Sequence, residues 1–235
     1  FLFVSYLIFT YFSEGGEVIF YVGFENEDYG YGKEFIYPNY FRNKRDILPT
    51  PFVYEEGVIG KSASFSWKRG YPGLLYPVFD NFKTEKGTIS LWIKKTGDFF
   101  INQYYPKIHI AFGRENFNAI SIVPINDPKC SVIEDRKWHH LVYTWDATIK
   151  KSKQYLDGEI IGEAIYKEIP KQEFICFRYR LTGSMDELVI LDEPLKEEEI
   201  KQIYKRYLRG EKVFSLPKPN KFLFPIDISN FSDNR

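Results

Sequence analysis

Two of the chain's 3 histidines stand side by side in WHHLVYTWDATIKKSKQYLDGE, residues 138 to 159. Adjacent imidazoles raise two kinds of chemistry, metal ligation and acid–base catalysis. A strand answers against both, because its successive side chains point to opposite faces. His139 would share a face with Leu141, Tyr143 and Trp145, and His140 with Trp138, Val142 and Thr144. Two such rings cannot converge on one metal, and His109 is too distant along the chain to count as a third ligand. A catalytic histidine also needs a nucleophile and an orienting acid. Neither a G-x-S-x-G sequence nor a reactive-cysteine signature is present. The pair is expected to fill half-polar sheet positions.

Other chemistry-bearing residues narrow the reading further. Cys130 and Cys176 lack paired C-x-x-C spacing, so they do not make a zinc site. They stand as one disulfide in an exported protein or as two buried thiols. Lysine plus arginine is 32 and aspartate plus glutamate is 32, which removes the basic excess that phosphate-backbone binding needs. Aromatic residues reach 19%, a content that suits pleated sheets, interfaces and sugar-stacking platforms alike. Trp67, Tyr71 and Tyr76 lie in the Gly/Pro-rich SWKRGYPGLLYP, and Tyr104 and Tyr105 in NQYYPK. Loop rings of this kind can stack on a pyranose face, with packing as the competing role. Trp92, Trp138 and Trp145 are assigned to sheet packing. The Gly-x-Gly of YGYGKEFIY lacks the strand and helix that would make it a phosphate cradle.

The elements that must carry these residues are short strands. EVIFYVGFEN, ASFSW, GTISLWIKK, KIHIAFG, NAISIVPI, FICFRYRL and DELVILD follow one another between turn residues. In GTISLWIKK, Ile89, Leu91 and Ile93 share one face while Ser90 and Trp92 share the other. This spacing predicts an all-β sandwich or barrel. Asp157-Gly158 predicts a two-residue hairpin turn, and residues 146–152 a longer loop. Residues 28–60 read as a loop. One helix is predicted over DEPLKEEEIKQIYKRYLRG, residues 192–210. Asp/Glu and Pro194 would open it, Gly210 would stop it, and Leu195, Ile200, Ile203, Tyr204, Tyr207 and Leu208 would form its apolar stripe. Residues 1–16 form a signal-like apolar segment, too short to span a bilayer, and residues 211–235 a proline-containing tail or linker.

Four blocks occur in order: GTISLWIKK, KWHHLVYTWD, QYLDGEIIGEA and GSMDELVILDEPLKEEEIKQIY. Together with VGFENED near the start they resemble the laminin G-like, concanavalin A-like lectin/glucanase family over residues 18 to 208. The resemblance implies a two-sheet antiparallel jelly-roll sandwich with one short C-terminal helix, spanning residues 17–210. It implies a secreted or cell-surface module that binds glycans or extracellular proteins, not an integral membrane protein. Some members hold structural calcium, for which the resemblance points to Glu25, Asn26, Asp28 and Asp186. Hydrolase relatives carry three carboxylates in an E-x-D-x-E or E-x-D-x-x-E spacing on one strand, so that two flank the glycosidic bond. Nothing here matches: Glu25 and Glu27 lack a third partner, and Asp186 and Asp192 stand near opposite ends of a strand. The expectation is a non-catalytic module with carbohydrate as first ligand, protein adhesion as the alternative and a glucanase-like hydrolase behind both.

Overall fold

Apolar residues at alternate positions need two faces to bury them, and the chain supplies both within one sheet. In a computed structural model, residues 15–25, 40–41, 53–65, 73–77, 81–95, 108–112, 118–121, 135–166, 174–179 and 183–214 are described. Among them the strands are β1 (Val18–Val22), β2 (Tyr40–Phe41), β3 (Val53–Glu56), β4 (Lys61–Phe65), β5 (Gly73–Pro77), β6 (Lys86–Lys95) and β7 (Ile108–Phe112). They continue as β8 (Asn118–Ser121), β9 (Trp138–Asp146), β10 (Lys151–Leu156), β11 (Glu159–Ile165), β12 (Phe174–Tyr179) and β13 (Gly183–Leu191), followed by helix α1 (Glu197–Leu208).

The strands form two sheets. The larger runs β11-β10-β9-β6-β13-β1-β2, with β4 also on β13 and β3 on β4; the smaller runs β5-β12-β7-β8. The two faces of the larger sheet are distinct. Ile89, Leu91, Ile93, Leu141, Tyr143 and Trp145 belong to one buried cluster, as the inner face of a sandwich requires. Trp92, Val142, Tyr155 and Val189 point the other way and are covered by Ile200, Ile203 and Tyr207 of α1. The helix therefore covers the central part of the outer face.

Several expectations are met at the level of the backbone. Asp157 (φ 52°) and Gly158 (φ 84°) turn β10 into β11 in the left-handed conformation that the Asp-Gly pair favours. Other details differ. Residues 28–60 contain β2 and β3, and the Gly/Pro-rich SWKRGYPGLLYP contains β5. The connection from β9 to β10 spans only residues 147–150. The helix starts at Glu197, not Asp192, because Asp192 accepts the Glu17 amide (2.7 Å) and the Lys83 ammonium (2.9 Å). Its start is held by the Glu199 carboxylate, which accepts the Lys196 amide at 2.7 Å. Leu208 is 63% exposed, so the buried stripe ends at Tyr207. Packing also runs beyond 17–210: Gly15 sits against Leu195 and Glu199, and Val213 and Phe214 pack on the helix-side cluster.

Candidate functional site

Strand β13 changes partner midway. β6 follows one edge of it, while the other edge pairs β1 through Leu188–Leu191 and β4 through Gly183–Met185. Asp186 and Glu187 sit at the break, a bulge in which Glu187 takes φ 48°. Both side chains are fully buried. Asp186 Oδ2 accepts the amides of Val58 (2.7 Å) and Ile59 (3.1 Å), and its Oδ1 accepts that of Glu187 (2.8 Å). Glu187 instead accepts the phenols of Tyr21 (2.5 Å) and Tyr207 (2.7 Å), which ties the bulge to β1 and to α1. Burial, and then the charge of Glu187, push the Asp186 carboxyl up to about 8. Burial raises Glu187 as well.

Of the four residues expected to hold calcium, Asn26 and Asp28 lie outside the described residues. Glu25 and Asp186 flank the same turn, residues 57–60. Glu25 Oε2 accepts the Lys61 amide at 3.1 Å, and Gly57 N–H closes the turn on Gly60 C=O at 3.0 Å. Gly60 has φ +60°, and a Cβ there would run into the Glu25 carboxylate. Calcium takes six to eight oxygens. Among the described residues no three acidic, histidine or cysteine side chains converge for a metal. Asp186 Oδ2 already accepts two backbone amides and Oδ1 one, which leaves one lone pair of this buried carboxylate for an ion. The thermal midpoint is accordingly expected to be the same in millimolar calcium and in chelator. A calcium-dependent rise would place an ion beside Glu25, with Asn26 and Asp28 as its remaining expected ligands.

The histidines separate as the strand requires. His140 is fully buried, stacked on Trp92 (5.0 Å) and Tyr204 (6.3 Å) under α1. Its Nε2 meets Ser90 Oγ at 2.8 Å, and its Nδ1 has no hydrogen-bond partner among the described residues. Burial pulls its pKa down to about 3, so the ring is neutral. A serine–histidine pair that excludes water and lacks an acid on Nδ1 cannot work as a nucleophile and base.

His139 faces the other way and is clamped. Its Nδ1 meets Asp157 Oδ2 at 2.7 Å and its Nε2 meets Asp135 Oδ1 at 2.9 Å. Burial lowers its pKa, but the two carboxylates outweigh that and hold it above 6.5. Two carboxylate partners call for an imidazolium that donates from both nitrogens. The clamp's stability is complete below pH 6.5, the unfolded value, and is lost as pH rises through the raised folded value. Proton NMR titration should place His139 above a free imidazole, and Asp157→Asn should bring it down. A His139 that titrates at or below 6.5 in the unsubstituted chain contradicts the clamp.

Tyr76 is on β5, the edge of the smaller sheet, with its backbone opposite Ile175. Trp67, Tyr71, Tyr104 and Tyr105 lie outside the described residues. Cys176 is on β12, and Cys130 also lies outside them. At the end of the larger sheet where β9 begins, one row crosses four strands. Trp138 pairs Lys94, Lys94 pairs Ser184, and Ser184 pairs Ser64. Directly paired residues share a face, here the outer one. Lys94 Nζ lies 4.9 Å from the centre of the half-buried Trp138 ring. The exposed Glu55 accepts Ser64 Oγ (2.8 Å) and Ser184 Oγ (3.1 Å). Sequence reasoning assigned Trp138 to packing. Trp138 does pack against the helix-side cluster, and being half-buried it also keeps part of its surface exposed at the start of β9.

Solved structures similar to this chain include the following three. The binding domain of Paraclostridial Mosquitocidal Protein 1 matches with TM-score 0.56 and 15% identity, over 81% of this chain and 52% of that one. The botulinum neurotoxin serotype D binding domain matches with TM-score 0.53 and 14% identity, over 80% of this chain and 50% of that one. Domain 4 of AbnA, a GH43 extracellular arabinanase from Geobacillus stearothermophilus solved with arabinotriose, matches with TM-score 0.50 and 16% identity, over 81% and 100%. The fold is a β-sandwich. At these identities the likeness shows that and nothing finer, and it does not single out the laminin G branch. The chain spans about half of each toxin domain and the whole of domain 4. No family model matches, and no curated protein does.

Proposed function

We propose that the chain is a non-catalytic carbohydrate-binding module of the laminin G-like, concanavalin A-like kind, working outside the cell. The observation that carries this reading is the row of Trp138, Lys94, Ser184, Ser64 and Glu55 on one end of the larger sheet. It sets a half-buried aromatic ring, a lysine donor and an oriented carboxylate acceptor in one row, a combination that suits sugars. β4 and β6 end at the same rim, at Phe65 and Lys95. The neighbour solved with arabinotriose supports carbohydrate as the ligand class. Against hydrolysis stand the described carboxylates of β13, buried and facing backbone and phenol donors, not a cleft. No described helix is long and apolar enough to cross a membrane.

Protein contact is the second reading, and two residues favour it. Ile149 and Ile165 are 62% and 78% exposed, and the Tyr166 amide donates to Lys150 C=O between them. A glycan array probed with the full chain decides between the readings. Reproducible binding to one sugar class is the expected result. A blank array from folded protein would overturn the carbohydrate reading and favour the Ile149–Ile165 end as a protein contact.

A further inference from the structure

We propose that Trp138, Lys94 and Glu55, with Ser64 and Ser184 behind them, form a subsite for a neutral oligosaccharide laid across strands β9, β6, β13 and β4. The assignment deepens the carbohydrate reading and rests on it. Three interstrand spacings make the row about 14 Å long, a length for a short chain and not a single ring. Trp138 supplies the apolar platform with the part of its half-buried ring that is not packed on the helix-side cluster, and the Lys94 ammonium, over the ring at 4.9 Å, is a mobile donor for hydroxyls. Glu55 is the fixed acceptor. Two serine hydroxyls orient its carboxylate, and each oxygen keeps a further lone pair for an incoming hydroxyl.

The platform is also held in advance of binding. His139, the next residue, points to the opposite face, where Asp135 and Asp157 grip both ring nitrogens. Lys137 N–H donates to Asp135 at 2.7 Å, which fixes the chain on the near side of Trp138. Pre-organisation of this kind removes part of the ordering cost of binding. One lysine and one glutamate balance in charge, which favours a neutral sugar over a sialylated or sulfated one.

Arabinotriose, cellotriose and maltotriose are the probes, titrated into the full chain by calorimetry and tryptophan fluorescence. At least one should bind. Trp138→Ala should weaken it about tenfold, and Lys94→Ala and Glu55→Gln several-fold, with the circular dichroism and thermal midpoint of the latter two unchanged. Should Trp138→Ala fail to fold, Lys94→Ala and Glu55→Gln decide, since neither side chain is in the core. Binding that is equal in every folded variant would overturn the subsite and leave the carbohydrate reading standing. No binding of any trisaccharide to the unsubstituted chain overturns the subsite; together with a blank glycan array it overturns the carbohydrate reading as well.

Discussion

Asp186→Ala should lower the unfolding free energy by about 3–5 kcal/mol, because it strands buried N–H donors at the point where the sheet divides. The amides of Val58, Ile59 and Glu187 all end on this one carboxylate, which has no solvent exposure. Water cannot replace it without opening the turn at 57–60. Asp186→Asn keeps one acceptor oxygen but sets an amide NH2 against a backbone donor, so it should fall between the two. Urea denaturation of the three proteins measures this. A loss below about 1 kcal/mol for Asp186→Ala would mean that the turn is held by something else.

The same residue sets a pH dependence. Its folded pKa of about 8 lies above the ordinary 3.8, so the charged form is the one that folding disfavours. Its contribution is therefore complete below the ordinary value and is lost as pH rises through about 8. His139 acts in the same direction over its own range, above 6.5. The chain should be more stable at pH 6 than at pH 9, and Asp186→Asn should flatten that difference.

Tyr207→Ala is the second large effect, expected at about 4 kcal/mol. The ring is buried against Trp92, edge to face at 5.5 Å, and its hydroxyl donates to Glu187 at 2.7 Å. Removing it opens a cavity between α1 and the outer face and leaves a buried carboxylate short of one donor. Tyr207→Phe keeps the ring and loses only the hydrogen bond, so it should cost about 1–2 kcal/mol. Equal losses for the two variants would show that the ring's packing contributes little.

Alternation made the central strands readable. Ile89, Leu91 and Ile93 fall into one cluster and Trp92 into the other, and the same rule separates His139 from His140. Edge strands were not readable, for a physical reason. VYEE in β3 is exposed at three of its four positions, so no buried face sets an alternating pattern there, and GLLYP in β5 carries a glycine and a proline that read as a turn. The bulge at Asp186–Glu187 was hidden because one extra residue inside a strand leaves the composition of MDELVILD unchanged. Asp192 and Pro194 imitate a helix start, but the amide and ammonium on Asp192 belong to Glu17 and Lys83. The candidate site was the least readable part. Glu55, Ser64, Lys94, Trp138 and Ser184 are scattered along the chain and meet only through strand register.

Affinity electrophoresis of the full chain through gels containing arabinan, xylan or mixed-linkage β-glucan, with the gel polysaccharide then assayed for reducing ends, tests the central claim most directly. Retarded migration in at least one gel without new reducing ends is the predicted result. Unretarded migration in every gel, or retardation accompanied by chain cleavage, would contradict a non-catalytic carbohydrate-binding module.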